Sequence, residues 1–189
     1  TGADNSAFGS QSLVANTTGY ANTGLGNITL FANTEGHSNT AAGQGSLYRN
    51  TTGDKNTAYG NETLNNSTTA DNNSAFGSNA LYNTTTGSGN TAVGHNAGDV
   101  ITAGTNNVIL GRSSDPSAVD GTNQIVIGYG ATGHGDNIAV IGNGSATAIH
   151  PHDDGEVDLG SSSYEYKDLY VDGTAYVDAI NFNGTAISA

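Results

Sequence analysis

The sequence predicts an all-β protein, a parallel β-solenoid or β-roll built from coils of 17 residues. A glycine returns every 17 residues along most of the chain, at Gly9, Gly26, Gly43, Gly60, Gly77, Gly94, Gly111 and Gly128. An asparagine lies four residues before each of the first seven, at Asn5, Asn22, Asn39, Asn56, Asn73, Asn90 and Asn107. A leucine lies four residues after each of the first five, at Leu13, Leu30, Leu47, Leu64 and Leu81. A fixed short period means that each unit stacks on a similar neighbour, which is typical of a solenoid rather than a closed globule.

Each coil is predicted to contain two short strands. A second glycine column keeps the same period, with Ala70 in place of glycine in one coil, and two glycines per coil indicate two corners. The first strand ends at the first glycine column, as in Ser6–Phe8, Thr57–Tyr59 and Thr91–Val93, and the second is centred on the leucine column. Because strands alternate their faces, we expect the leucines and the apolar residue before each glycine to point inward.

Three segments are predicted along the chain. Residues 1–144 form the solenoid shaft, whose last coil has only 14 residues. Residues 145–157 form a linker that contains Pro151, and residues 158–189 form a short C-terminal β module. Since one coil holds few large side chains, a single-chain core would be thin. We therefore expect a homotrimer.

The composition excludes several classes of function. Four basic residues stand against seventeen acidic ones, for a net charge of −13, so nucleic acid and anionic membranes are poor partners. The chain has no cysteine, which excludes disulfides and thiolate metal sites. No apolar run reaches the roughly 20 residues of a membrane span, so we expect no membrane insertion. Without an initiator methionine or a signal peptide, the chain is expected to be a processed product or part of a longer one.

The later units resemble a known repeat. Residues 106–111, 123–128 and 137–142 are similar to the Asn-Ser-Val-Ala-Ile-Gly repeat in head domains of trimeric autotransporter adhesins. That resemblance implies left-handed parallel β-rolls, with three chains side by side, that bind host or matrix surfaces. The earlier units depart from the pattern, because their asparagine lies one residue nearer the glycine and their period is longer.

The C-terminal stretch resembles a second family. Asp158-Leu159-Gly160 and the following serines, with Lys167-Asp168-Leu169-Tyr170, are similar to a stretch common in phage tail fibres, as is the upstream Asn-Thr-Ala-x-Gly repeat. In those fibres a tryptophan usually precedes the Lys-Asp pair, whereas this chain has Tyr166. The resemblance implies an extracellular location on a virion. Neither resemblance implies catalytic residues.

Two polar columns allow alternative interpretations. The asparagine column predicts a ladder of stacked amides that stabilises the solenoid, and ligand binding is its alternative. The threonines at 17, 34, 51, 68, 85 and 102 share one phase and would form a hydroxyl file, which is the kind of surface that ice-binding solenoids use. Several of these corners are also glycosylation sequons, namely Asn16, Asn50 and Asn83.

Candidate ligand-binding residues are few. His150 and His152 would form a metal site if three chains met at an axis, but a solvated acidic linker that binds nothing is the favoured interpretation, and no cofactor is expected. Exposed tyrosines beside polar residues are candidates for contact with a receptor or glycan, and packing between chains is their alternative. These are Tyr48, Tyr82, Tyr164 and Tyr166.

The predicted function is structural and adhesive. We expect a segment of a phage tail fibre that projects from the virion and attaches to a glycan or protein receptor on the host cell surface. The alternatives are a subunit of a bacterial extracellular filament or adhesin, with sugars on its Asn/Thr corners, and an ice-binding protein. An enzyme is not expected, because acids such as Asp54, Glu62 and Asp71 occupy unrelated phases of the repeat.

Overall fold

The computed structural model describes residues 2–146, 149, 163, 164, 166, 168, 170 and 171. The chain divides into two compact units, Thr1–Thr147 and Ala148–Ala189. The first unit contains one sheet of nine parallel strands in chain order. The strands are β1 Ser6–Phe8, β2 Thr23–Leu25, β3 Thr40–Ala42, β4 Thr57–Tyr59, β5 Ser74–Phe76, β6 Thr91–Val93, β7 Val108–Leu110, β8 Ile125–Ile127 and β9 Ala139–Ile141.

The register confirms the predicted parallel solenoid. Strand β1 pairs with β2 so that Ser6 faces Thr23, and the same offset of 17 residues recurs up to β8. The last step, from β8 to β9, pairs Ile125 with Ala139, as expected for a shorter final coil. Parallel strands lie about 4.8 Å apart, so the eight steps from β1 to β9 span about 38 Å. The predicted linker and C-terminal module lie almost wholly outside the described residues, and trimerisation stays a prediction.

The predicted inward direction of the apolar residue before each glycine is wrong for the larger side chains, and among these residues only Ala42 is buried. Ala41, Ala58, Ala75 and Ala92, at the centre of their strands, are buried, whereas Phe8, Tyr59 and Phe76, at the strand ends, are exposed. In a strand of three residues the two ends share one face and the centre has the other. The interior of the coil accepts the small central residue because asparagine and leucine side chains already fill it.

The predicted second strand is also wrong, since the leucine column lies in a turn. Its leucines have positive φ values, 51° at Leu47 and 52° at Leu64, in the left-handed region that costs a branched residue about 1–2 kcal/mol. Both side chains are buried, as predicted, and burial of a leucine contributes about 1.5–3 kcal/mol. The Leu47 N–H also donates to the carbonyl of Thr63 in the next coil, at 3.0 Å. Burial and pairing between coils therefore offset the strained backbone.

The first asparagine column forms a continuous hydrogen-bonded ladder. The backbone N–H of Asn39 donates to Oδ1 of Asn22 at 3.0 Å, and its Nδ2 donates to the same oxygen at 3.2 Å. Asn39 Nδ2 also donates to the carbonyl of Gly53, at the second corner of its own coil. The pattern repeats through Asn107, and Asn22 to Asn107 in this column are fully buried. Each asparagine thereby links its strand to the second corner of the same coil and joins that coil to the preceding one.

A second asparagine column, Asn16, Asn33 and Asn50, supports the second corner and ends at Ser67. Asn50 Nδ2 donates to Asn33 Oδ1 at 2.7 Å and to the Gly53 carbonyl at 2.9 Å. In the next coil Ser67 replaces asparagine, and Asn50 Oδ1 and Ser67 Oγ are both buried without a hydrogen-bond partner among the residues that the structure describes. The same coil is the one in which Ala70 replaces the corner glycine.

These two replacements are sterically linked. A Cβ placed on Gly53 would lie 2.4 Å from the Ala70 carbonyl oxygen of the next coil and 2.5 Å from Asn50 Oδ1 of its own coil, and both distances are too short for any real contact. An asparagine beside the corner therefore adds a second clash to any alanine at that position, whereas the shorter Ser67 spares Ala70 this clash. The repeat thus changes at two positions together where it departs from its consensus.

The apolar core shifts sideways after the fifth leucine. Gly98, with φ of 63°, takes the place of leucine, and a Cβ there would lie 3.2 Å from Cδ1 of Ile101. Ile101 is fully buried at the position that holds asparagine, serine or threonine in earlier coils. Its side chain fills the volume that the missing leucine leaves, so the coil keeps a closed interior.

Candidate binding surfaces

The outer face of the sheet carries a file of residues, here named the outer apolar file, in which Ala42 is the one buried member. It consists of the last residue of each strand, and the first residues of β1 to β6 beside it are serine or threonine. Phe8 is 78% exposed and Tyr59 is 51% exposed, while Phe76 stacks on Tyr59 with ring centroids 6.1 Å apart. Neither end of any of the nine strands carries a charged residue. The file is therefore an uncharged, largely apolar stripe on a strongly acidic protein. Its members are Phe8, Leu25, Ala42, Tyr59, Phe76, Val93, Leu110, Ile127 and Ile141.

A groove on another side of the coils, here named the Tyr82 groove, has a volume of about 780 Å³. Pockets that hold small ligands have volumes of about 300–1,000 Å³. The groove is lined by two neighbouring columns of consecutive coils and by the ring of Tyr82. The lining residues are Arg49, Asn66, Asn83 and Val100 in one column, Thr68, Thr85, Thr102 and Val119 in the other, and Tyr82.

Most hydrogen-bond donors of the Tyr82 groove are already engaged within the protein. The hydroxyls of Thr68 and Thr85 each donate to the backbone carbonyl of the next coil at 3.1 Å. Asn83 Nδ2 donates to the carbonyl of Asp99 at 2.8 Å, and Asn66 Nδ2 lies 3.4 Å from Asn83 Oδ1. The threonine and amide oxygens keep free lone pairs. The polar wall of the groove therefore offers mainly acceptors to a ligand.

Arg49 is the exception, because it is exposed and makes no ion pair within the residues that the structure describes. It is also the one charged residue in the lining of the groove, and one of only four basic residues in the chain. Its guanidinium has five N–H donors in a planar fork that matches a carboxylate. The groove thus combines a wall of hydrogen-bond acceptors, one aromatic ring and one cation that has no ion pair among the described residues.

The four candidate tyrosines fall into different surroundings. Tyr82 lies in the groove, half-buried. Tyr48 is half-buried and stacks on Phe31 with centroids 5.1 Å apart, and it is not part of the groove lining. Tyr164 and Tyr166 belong to the second unit and are 84% and 66% exposed. His150 and His152, the candidate metal ligands, lie outside the described residues.

The threonine column is held by bonds within the protein. The hydroxyl of Thr17 donates to the Thr34 carbonyl at 2.8 Å, and the same bond recurs along the column as far as Thr102. Their protons therefore point along the stack rather than toward water, which weakens the argument for an ice-binding surface. Of the sequons, Asn50 is fully buried and cannot carry a sugar in the folded chain, whereas Asn83 is exposed.

One pair of carboxyl groups has a raised pKa. The pKa of Asp115 is raised to about 6, chiefly by burial and secondly by the charge of Asp99, while a hydrogen bond from the backbone of Val100 opposes both. Burial also raises the pKa of Asp99, while His95 lowers it. Oδ1 of Asp115 is buried without a hydrogen-bond partner among the described residues. Among all the described residues, no group of three or more histidine or acidic side chains is arranged to hold a metal ion.

The geometry defines a parallel β-solenoid with an apolar outer file and a groove that is lined by both polar and apolar side chains. No known protein family, curated protein or solved structure matches the chain. Within the described ranges, no helix is long and apolar enough to cross a membrane. The two family resemblances noted in the sequence therefore stay predictions.

Sequence reasoning found Tyr82 but missed Arg49, Asn66 and Asn83 as groove residues. These three share one phase of the 17-residue repeat, so the period could have placed them in one column. What it could not show is that this column and the threonine column two residues further on line one groove, because the turn that leads into them was predicted as a strand.

Proposed function

We propose that this chain is a structural and recognition segment of an extracellular fibre, most consistent with a phage tail fibre that attaches to a host cell surface. Three chains associate side by side into a stiff rod, and weak contacts with the receptor are repeated around its axis. Repeated weak contacts strengthen attachment through effective concentration. The tail-fibre assignment draws its support from the similarity of the repeat and of the Asp158–Val171 stretch to such fibres.

The observation that carries the association of chains is the outer apolar file. Each coil closes its own interior, with Leu47, Ala58 and Asn56 fully buried, so companion chains are not needed to complete the core. Among the exposed large apolar side chains, Phe8, Leu25, Tyr59, Phe76, Val93 and Ile141 instead belong to one stripe that contains no charge. Apolar stripes of this kind typically mark protein interaction sites. A narrow single file also suits three chains that meet along one axis.

The oligomeric mass in solution tests this proposal. Sedimentation equilibrium over a range of protein concentrations is expected to give three times the chain mass of 18.9 kDa, and electron micrographs are expected to show rods. Phe76→Glu, in the middle of the outer apolar file, is expected to dissociate the assembly while the β-sheet signal in circular dichroism persists. Val14→Glu, at an exposed apolar residue outside the file, is the control. A monomeric wild-type chain, or dissociation by both variants, would contradict the proposal.

The origin of the fibre requires a separate experiment. Antibodies against this chain are expected to label the tails of virions in electron micrographs. Labelling of bacterial surface filaments instead would favour the alternative of a bacterial adhesin or filament subunit. Both outcomes leave the solenoid and its association unchanged.

A further inference from the structure

We propose that the Tyr82 groove binds an oligosaccharide that carries an isolated carboxylate sugar. This inference rests on the proposed function in surface recognition and names the class of receptor. It follows from the hydrogen-bonding capacity of the groove, from its one cation, and from the charge of the whole chain.

The hydrogen-bond acceptors that line the groove favour a ligand that is rich in hydrogen-bond donors. The hydroxyl protons of Thr68 and Thr85 and one amide proton of Asn83 are engaged by carbonyls of the next coil. Their oxygens can still accept, and they recur at steps of about 4.8 Å along the stack. A ligand that satisfies them must present hydroxyl groups at repeated intervals, which is the chemistry of a carbohydrate. The ring of Tyr82 supplies the apolar surface on which the carbon-bound face of a sugar can pack.

Arg49 selects for one anionic group. It is exposed, free of ion pairs among the described residues, and the one charged residue of the lining. A guanidinium binds a carboxylate through two parallel N–H···O bonds, which are about twice as strong as neutral hydrogen bonds. No acidic side chain lines the groove to compete for it.

The net charge of −13 limits how anionic the ligand is. A densely charged polysaccharide would be repelled by the field of the whole protein, and one arginine cannot offset that repulsion. A sugar chain with widely spaced carboxylates gains the bond to Arg49 without incurring most of this cost. The groove is therefore suited to glycans that have one acidic residue among neutral ones.

Binding of defined probes to the assembled chain tests the inference. The probes are lactose, sialyllactose, a hyaluronan oligosaccharide and a heparin oligosaccharide, measured by saturation-transfer NMR and titration at constant ionic strength. At least one of the two carboxylate probes is expected to bind, at least about tenfold more tightly than lactose, as one charge-assisted bidentate contact allows. Heparin is expected not to bind more tightly than the carboxylate probes. Absence of binding by both carboxylate probes, or preference for heparin, would overturn the inference.

Two variants assign the contacts. Arg49→Gln is expected to remove the preference for the carboxylate probe over lactose. Tyr82→Ala is expected to weaken the binding of both the carboxylate probe and lactose. Arg112→Gln is the matched control, because Arg112 is exposed but lies over the ring of Tyr129, outside the groove. An unchanged preference in Arg49→Gln would overturn the inference.

Oligomeric mass and binding to intact host cells, measured on the same samples, separate this inference from the proposed function. If Arg49→Gln remains trimeric and still binds cells as the wild type does, the fibre proposal stands and the groove assignment fails. If the wild type is monomeric yet binds the carboxylate probe, the assembly part of the proposal fails and the groove assignment stands.

Discussion

The coil that contains Ser67 and Ala70 can be converted to the consensus sequence of the earlier coils. This conversion tests which contacts stabilise the second corner. The perturbation is Ser67→Asn combined with Ala70→Gly, which restores the consensus of the earlier coils. In those coils the corner asparagine donates both to the asparagine below and to the corner carbonyl, as Asn50 does to Asn33 and Gly53. The new asparagine would give the buried Asn50 Oδ1 the donor that it lacks among the described residues. Its own Oδ1 would face Thr84 at the same phase of the next coil, whose buried hydroxyl likewise has no partner there and can donate to it.

The magnitudes favour the double variant and disfavour each single one. Pairing a buried unsatisfied oxygen gains about 1–3 kcal/mol, and the bond to the corner carbonyl gains about 1 kcal/mol. Ordering the longer side chain costs about 1 kcal/mol, and replacing alanine by glycine costs about 0.5–1 kcal/mol. The double variant is therefore expected to be about 1–2 kcal/mol more stable than the wild type.

Each single variant is expected to be less stable than the wild type. Ser67→Asn alone places its amide oxygen against the Cβ of Ala70, the contact that lies at 2.5 Å between Asn50 Oδ1 and a Cβ placed on Gly53. Overpacking of this kind costs about 1–3 kcal/mol. Ala70→Gly alone loses about 1 kcal/mol. The coupling energy between the two sites is then about 3 kcal/mol or more in favour of the pair.

The wild type, the two single variants and the double variant form a double-mutant cycle. The free energy of unfolding of each is measured by urea unfolding, followed by far-ultraviolet circular dichroism at one fixed protein concentration. Concentration must be held constant because association adds to the apparent stability. Additive single-variant effects, or a double variant less stable than the wild type, would refute the account of the corner.

Three further predictions concern single side chains. Gly60→Val is expected to destabilise the solenoid by about 3–5 kcal/mol, measured by urea unfolding, because φ is 139° and a Cβ would lie 2.6 Å from the Gly77 carbonyl. Ser46→Ala is expected to cost about 1 kcal/mol in the same assay, since Oγ donates to the Gly60 carbonyl at 2.6 Å, whereas Ser67→Ala is expected to be neutral within about 0.5 kcal/mol. Asp115→Asn is expected to flatten the pH dependence of thermal stability. The pKa of Asp115 in the folded protein, about 6, lies above its ordinary value of 3.8. The protonated carboxyl therefore stabilises the folded protein fully below pH 3.8, and this contribution is lost as the pH rises through about 6.

Matched variants control these predictions. Gly144→Val is expected to be tolerated, because a Cβ there meets nothing within 4 Å, and equal damage by both valines would contradict the role of Gly60. A Ser67→Ala variant that loses as much stability as Ser46→Ala would show that the Ser67 hydroxyl has a partner. Asp120→Asn, at an exposed carboxyl, is expected to leave the pH profile unchanged. A melting temperature of the wild type that does not fall between about pH 4 and pH 7 would contradict the raised pKa of Asp115.

The period of the repeat predicted the path of the chain but not the direction of its side chains. The 17-residue spacing of Asn22, Asn39 and Asn56 is enough to place one asparagine over the next, because parallel in-register coils bring equivalent residues together. The same spacing predicted the parallel register and the position of the first strand. Each of these features depends on the repeat alone.

The faces could not be predicted from the apolar pattern. Phe76 and Ala75 are both apolar, and the usual preference buries the larger residue. In this coil the buried asparagines and leucines leave room only for the small Ala75, and Phe76 turns outward. The inside of a solenoid is decided by how much volume each column occupies, which a single strand of three residues does not reveal.

The turn at the leucine column was missed for a related reason. Leucine is uncommon at positive φ, so nothing in the residue type indicates that Leu47 and Leu64 have a left-handed backbone. That conformation is imposed by pairing with the neighbouring coils and by burial of the side chain. Because the turn sets where Arg49 and Tyr82 point, the groove could not be foreseen either.

The distance that one coil adds to the stack tests the central claim most directly. The chain has no cysteine, so pairs of spin labels can be attached to single cysteines introduced at the exposed column of Thr18, Thr86, Ala103 and Asp120. With labelled chain diluted in unlabelled chain, the distances from Thr18 to the other three are expected to be about 19, 24 and 29 Å, a constant step of about 4.8 Å per coil. Distances that do not increase by a constant step from coil to coil would contradict the stacked solenoid.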